Sequence, residues 1–415
     1  MSIFKTIAFS ASLAAAAFPT AGHAAKVKTL HVFAGGADGD FPDNELIVNS
    51  GVLYGTTLGD SLSNDPPCGA PDMPCGTVFS INSKTGAYAV LYAFKASPDG
   101  VQPSSPLLYA NNTLYGTTAA GGAAGYGTLF SVNPASGAET VVYSFAGSTA
   151  GNGPASSLIY QGGLIYGTTK FGGDTICGCG AIYALNPATG AETVLYRFLG
   201  GTDGSEPMGD LAIQGTTLYG TTYAGGTNGT GTGTGAVFSF DLSTNTETVL
   251  YGFPAQPSTD GAFPYAGVTL QAGMLYGTTE QGGGTPCTGD GFEGCGTVFQ
   301  VNPATGTETV LYRFPGARGP QTPVGPAVLL NGSLYTTSTH GGNTSKLCRG
   351  RKKLPDGCGT ILAVDPSTGT AQVAYSFTGK SDGSGPGGLL LSGGKFYGNT
   401  FGGATGGGTI FSFKP

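Results

Sequence analysis

The stretch ETVLYRF occurs at residues 192–198 and again, letter for letter, at 308–314. It is the clearest copy of a longer period. A motif of the type Leu-Tyr-Gly-Thr-Thr places its tyrosine at Tyr54, Tyr115, Tyr166, Tyr219, Tyr276, Tyr335 and Tyr397, about every 57 residues. A second motif, of the type Gly-Thr-Val-Phe-Ser-Val-Asn-Pro, starts at Gly76, Gly127, Gly180, Gly235, Gly296, Gly359 and Gly408. A third appears as AYAVLYAF, ETVVYSF, ETVLYRF, ETVLYGF, ETVLYRF and AQVAYSF. Seven copies in step constrain the fold severely, because a short repeat cannot bury its apolar face alone and must stack on its neighbours.

Each motif reads as a strand. In ETVLYRF, Val194, Tyr196 and Phe198 alternate with Thr193, Leu195 and Arg197, the two-residue period of a pleated strand rich in β-branched and aromatic residues. Segments such as Asn-Pro-Ala-Thr-Gly at 302–306 supply the proline and glycine of a tight turn. A weaker apolar run, such as residues 157–161, precedes each Leu-Tyr motif and completes four antiparallel strands per copy. Seven such units predict an all-β fold, a seven-bladed β-propeller with four-stranded blades. The last copy ends after its third strand, and residues 28–33, KTLHVF, read as the missing fourth. An N-terminal strand is therefore expected to join the C-terminal blade and close the ring.

These motifs, with the diglycine that follows the second strand, resemble the GloVer-type tandem repeat proteins of bacterial cell surfaces and secretions over residues 27–415. The diglycine is also similar to that of kelch repeats, although kelch repeats usually carry a tryptophan and this chain has none. The resemblance implies a surface or secreted protein. Its family is defined by the repeat and by varied C-terminal anchors, and no anchor follows the final strand here, which predicts a freely soluble protein.

Composition agrees with a folded chain outside the cytoplasm. With 39% hydrophobic and 10% charged residues, the sequence is neither disordered nor membrane-like. Lys5, the apolar run at 6–18 and the small residues Gly22-His23-Ala24-Ala25 form a signal-peptide pattern, so residues 1–25 are expected to be removed and 26–415 to form a single propeller domain. No stretch is long enough to span a bilayer. The eight cysteines fall into four local pairs, Cys68 with Cys75, Cys177 with Cys179, Cys287 with Cys295, and Cys348 with Cys358, each between the second and third strands of its copy. An even number and local pairing predict disulfides that pin loops, the ring between Cys177 and Cys179 being the shortest. Protein in the periplasm and protein outside the cell both fit.

Function is expected on the face that carries these loops and the blade-joining loops. Five blade-joining loops place an Asp-Gly four residues ahead of a proline, at Asp38, Asp99, Asp203, Asp260 and Asp382. Such a ring could bind a cation, calcium being the one cofactor candidate, or a polyhydroxylated ligand; the alternative is a set of Asx turns in which each carboxylate caps its own loop. Arg349, Arg351, Lys352 and Lys353 form a basic insert between Cys348 and Cys358 on a chain of net charge −7. They are candidates for contact with an anionic surface polymer or a cell-surface protein. One short basic loop offers too few phosphate contacts for nucleic acid. His340 is the one histidine placed for chemistry, as acid, base or ligand. The reading is a secreted, monomeric, non-enzymatic binding module using its disulfide-stapled loop face. The alternative is an extracellular hydrolase or lyase for a polysaccharide-type substrate, with its site at the mouth of the central channel.

Overall fold

The computed structural model describes residues 26–59, 68, 75–173, 177–226, 233–284, 287, 294–316, 319–344, 346–348, 357–403 and 406–415. Seven antiparallel sheets, one per copy, form the blades of a propeller. In the fourth, the order from channel to rim is Ala212–Gln214, Thr217–Thr222, Ala236–Asp241 and Thr246–Gly252. The expected closure is present. Lys26–Val32 pairs antiparallel with Thr409–Lys414, Val27 opposite Phe413, and supplies the outer strand of the blade that contains Ser384–Ser392 and Lys395–Gly402.

The outer strand departs from the strict alternation read in the sequence. Ile182 pairs with Tyr196 but the next residue, Tyr183, pairs with Val194, so Leu195 is a bulge. The same register shift stands in all seven blades. A bulge adds twist and re-aims the residues after it. Here it delivers the closing phenylalanine of each outer strand, such as Phe198, into the core, where all seven are at most 1% exposed. Each of these phenylalanines also donates its N–H to the glycine that opens the third strand, as Phe198 does to the Gly180 carbonyl at 3.0 Å.

Two repeated residues are explained by what lies across the sheet. Gly220 pairs with Phe238, and a Cβ at Gly220 would stand 2.6 Å from Phe238 Cζ and 2.9 Å from Leu211 Cδ2. The glycine leaves the space the aromatic ring fills. In the sixth blade the facing residue is Leu362, and the glycine is replaced by Thr336. The last threonine of the motif meets a threonine on the third strand: Thr57 with Thr77, Thr118 with Thr128, and Thr279 with Thr297, each at 2.8 Å between buried hydroxyls. In the third and fourth blades that partner is Ala181 or Ala236, and among the described residues the buried Thr169 and Thr222 hydroxyls have no partner.

All four disulfides join the cysteines paired by position in the sequence. The second cysteine of each pair is buried against the core phenylalanine of its own blade, Cys75 with Phe94 and Cys358 with Phe377 among them. Such bonds fit an oxidising compartment. Among the described residues, no helix is long and apolar enough to cross a membrane.

Candidate functional site

The site grows out of one repeated turn. Each blade is entered through a residue with left-handed φ followed by proline: Phe41, Gln102, Gly153, Glu206, Phe263, Thr322 and Gly385, with φ between 54° and 63°. The N–H of this residue reaches back to the preceding blade. Gln102, Glu206, Thr322 and Gly385 donate to the carbonyls of Cys75, Cys179, Cys295 and Cys358 at 2.9–3.1 Å. The carbonyl of the same residue accepts from the residue that follows the Thr-Thr motif, as in Tyr223 to Glu206 and Glu280 to Phe263, both at 3.0 Å. The disulfides therefore anchor the joint between blades, and three positions per blade converge on the channel mouth: before the proline, after it, and after Thr-Thr.

These three positions carry different residues in different blades, whereas the strands between them repeat. At the mouth, Tyr265 and Glu280 of the fifth blade, Thr339 and His340 of the sixth, Phe401 of the seventh and Asp43 of the first line a cavity of about 500 Å³. The stapled loop of the sixth blade forms another wall through Leu347, Cys348 and Cys358. Large apolar side chains stand open to solvent here, Leu347 at 62%, Tyr265 at 42% and Phe401 at 39%. Phe401 packs on Phe41 with ring centres 4.9 Å apart, and Tyr223 packs on Phe263 at 5.1 Å. Tyr223 also donates its hydroxyl to Glu280 Oε2 at 3.3 Å, while burial raises the Glu280 carboxyl above its ordinary range.

Below the mouth the channel narrows to a second cavity of about 330 Å³ that shares Asp43, Tyr265, Val324 and Gly387 with the first. It is acidic. Asp43 and Glu45 enter from the first blade and Asp210 from the fourth, and among the described residues no Lys, Arg or His lines it. Glu45 and Asp210 occupy the same repeat position, three residues after the proline. Asp210 Oδ1 accepts the Ser157 N–H at 3.1 Å, and the Ser157 hydroxyl accepts from the Leu211 N–H at 2.9 Å. Burial pushes the Asp210 carboxyl up to about 6 against the opposing bonds from Ser157. Burial, with the Asp210 charge behind it, holds Glu45 well above the carboxylate range, and burial alone raises Asp43.

The five repeated aspartates lie elsewhere, at the outer ends of the blade-joining loops. Asp99 accepts from the Tyr92 hydroxyl at 2.7 Å, the Lys95 N–H at 2.9 Å and its neighbour Gly100 N–H at 2.7 Å. Asp203 and Asp382 take the same pair of bonds, from Tyr196 and the Leu199 N–H and from Tyr375 and the Thr378 N–H. Asp260 receives the Tyr251 hydroxyl and the Gly261 N–H. At Asp38 the tyrosine is replaced by His31, whose Nε2 lies 3.2 Å from Oδ2 and whose ring stacks on Tyr88 at 3.8 Å. Each carboxylate thus ties its loop to the outer strand. Arg349, Arg351, Lys352 and Lys353 lie outside the described residues. His340 lines the mouth, with Nδ1 2.9 Å from Thr339 Oγ1. Asp43, Glu45, Asp210, Glu280, Tyr265 and Phe401 were not singled out from the sequence. The signal that could have found them is divergence between copies at the positions flanking the entry proline and following Thr-Thr.

The Gloeobacter/Verrucomicrobia repeat matches residues 16–178 and 68–288. No curated protein matches the chain. Among solved structures, the chain is similar to the extracellular domain of BT4673 from B. thetaiotaomicron, with 9% identity and a TM-score of 0.56 over 93% of this chain and 39% of that one. It is also similar to BamB from Moraxella catarrhalis, with 15% identity and a TM-score of 0.48 over 91% of this chain and 86% of that one. At these identities the likeness concerns the fold alone.

Proposed function

The chain belongs to the Gloeobacter/Verrucomicrobia repeat family, and from that premise and the geometry of the mouth we propose that it is a non-enzymatic binding module working outside the cytoplasm. The observation that carries this reading is the mouth cavity: about 500 Å³, open, walled by Tyr265, Leu347 and Phe401, and dotted with the polar groups of Asp43, Glu280 and His340. Its size and its mixture of apolar wall and few polar groups are those of a ligand pocket. It is built from positions at which the copies differ, which the blade itself does not require. The signal-peptide pattern and the four disulfides support export to an oxidising compartment. The insert with Arg349, Arg351, Lys352 and Lys353 is joined at both ends to cysteines on the cavity rim, so its proposed contact is an anionic polymer or cell-surface protein that carries the ligand.

A second reading, an extracellular hydrolase or lyase at the channel mouth, is favoured by one observation: Glu45 and Asp210 line a single acidic cavity beneath the mouth, where burial raises both carboxyls, the direction a general acid needs. One experiment addresses both. The protein is screened for binding and turnover against acidic and neutral polysaccharides and surface proteins of the producing cell, with and without calcium. The screen is repeated with Phe401→Ala and with the four basic residues neutralised. Retention without product, weakened by Phe401→Ala, is the expected result. Product that appears with wild type and disappears in Asp210→Asn would overturn the binding reading in favour of the enzyme.

A further inference from the structure

One of the four disulfides has no loop to hold. Cys68 and Cys75 are seven positions apart, Cys287 and Cys295 eight, and Cys348 and Cys358 ten, whereas the bond from Cys177 to Cys179 spans Gly178 alone. That residue and its neighbours are fixed by the backbone. The Gly178 carbonyl accepts from the Gly172 N–H at 3.1 Å, the Gly180 N–H donates to the Gly172 carbonyl at 2.9 Å, and the Phe198 N–H reaches the Gly180 carbonyl at 3.0 Å. The Cys179 carbonyl accepts from the Glu206 N–H at 2.9 Å, so the joint to the fourth blade is a backbone bond that stays when the sulfurs part. A cross-link stabilises a fold less the shorter the loop it closes, and this one closes almost none. It differs in access as well. Cys177 is exposed, whereas Cys68 and Cys287 are half-buried and Cys348 is buried. Its partner Cys179 is 9% exposed. In the sixth blade Leu347 lies over Gly379 together with Cys358 Sγ. Over the equivalent Gly200, among the described residues, a Cβ would meet only Cys179 Sγ at 3.0 Å and Cys177 Sγ at 3.9 Å.

We propose that the bond between Cys177 and Cys179 is a thiol-exchanging disulfide that takes two electrons from a substrate dithiol, at a site separate from the channel mouth. Exposed disulfides are the labile and reactive ones, and exchange needs a thiolate to reach one sulfur from the side away from the other. Cys177 Sγ offers that side to solvent, because its partner is the buried member of the pair. A substrate thiolate attacks Cys177 Sγ and forms a mixed disulfide. The bond to Cys179 breaks, and Cys179 leaves with the electron pair and takes up a proton. The second substrate thiolate then attacks the substrate sulfur of the mixed disulfide. A disulfide forms within the substrate, and Cys177 is released as a thiolate and protonated. The Phe198 carbonyl, 3.5 Å from Cys177 Sγ, is placed to accept its S–H. Two electrons and two protons have passed from the dithiol to the protein. The backbone bonds of residues 178–180 take no part in either step, so the blade keeps its shape in both states. One turnover needs no other reagent. The next needs a disulfide of the same compartment to take the two electrons back by the reverse exchange.

The test equilibrates the full chain with graded ratios of reduced to oxidised dithiothreitol and reads the state of every cysteine by alkylation and peptide mass spectrometry. The pair Cys177 and Cys179 is expected to be half reduced at a ratio about tenfold or more below that of any other pair. The oxidised protein is then mixed with a synthetic peptide that carries two cysteines. Two peptide thiols should disappear for the two that appear at Cys177 and Cys179, about tenfold or more faster than with an equal concentration of oxidised glutathione, while the other three pairs stay closed. Cys177→Ser combined with Cys179→Ser should abolish the transfer and leave the denaturation midpoint unchanged. Transfer from the peptide assigns the site to protein chains, and transfer from dithiothreitol alone assigns it to small dithiols. Reduction of all four pairs at one ratio, peptide oxidation no faster than by glutathione, or equal peptide oxidation by the double variant would each overturn the proposal. So would a double variant that fails to fold, because the bond would then be part of the framework.

Discussion

Glu247 is expected to make the protein less stable as the pH rises. It opens the outer strand of the fourth blade and lies against the lock of the third, where Tyr196 donates to Asp203 Oδ1 at 2.6 Å. Its Oε1 is buried and has no partner among the described residues. Burial, then the neighbouring Asp203 charge, pushes the Glu247 carboxyl from the usual 4.5 up to about 8, with the Tyr196 hydroxyl opposing. The folded chain therefore keeps a proton that the unfolded chain gives up at ordinary carboxyl pH. Because the native state binds more protons between 4.5 and about 8, stability falls across that window and levels off above it. At about 1.4 kcal/mol per tenfold shift the full displacement amounts to ~5 kcal/mol, and solvent screening at this partly exposed site reduces it to about 1–2 kcal/mol. Glu247→Gln keeps the shape and removes the titration. Urea unfolding of wild type and variant from pH 5 to pH 9 should give curves that nearly coincide at the acid end and separate by about 1–2 kcal/mol in favour of the variant at the alkaline end. Parallel curves at all pH values, or a variant less stable at pH 9, would refute the assignment of the proton to this contact.

Other consequences follow from the same geometry. Ala181→Thr, which gives the buried Thr169 hydroxyl the partner it has in other blades, should raise unfolding stability by about 1 kcal/mol, and an unchanged denaturation midpoint would show that the third-blade loop has closed over the space. Gly220→Ala drives a methyl to within 2.6 Å of Phe238 and should cost about 2–3 kcal/mol; Phe238→Leu in the same chain should recover part of that loss, on the pattern of Thr336 and Leu362 in the sixth blade, measured by a double-mutant cycle. Replacing Cys348 and Cys358 by alanine frees a wall of the mouth cavity and should cost about 2–3 kcal/mol of stability, together with any ligand held there, checked by unfolding and by the binding screen above.

The architecture was legible because it is written seven times. Strand order, ring closure and the disulfide pairs all follow from motifs that keep step, and each has a local cause: the glycine of Leu-Tyr-Gly-Thr-Thr faces an aromatic ring, and the closing phenylalanine of the outer strand fills the core. The bulge before Tyr196 was not legible, because an extra residue in a ladder leaves no mark on a pattern of alternating side chains until the partner strand fixes the register.

The candidate site was hidden for the opposite reason. Asp99, Asp203 and Asp260 stand out in the sequence because they recur, and recurrence marks a task every blade shares, here the tie between loop and outer strand. Glu45 and Asp210 hold one repeat position whose other occupants are Pro106, Ser157, Gly267 and Pro326, and no local pattern joins them. They come to line one cavity only because the ring closes and brings the first and fourth blades to a common axis. In a closed repeat the framework is read from what the copies share. Chemistry unique to the molecule sits where they disagree, and Cys177, two positions from its partner where the other pairs stand seven, eight and ten apart, is the residue at which that difference brings a disulfide sulfur to solvent.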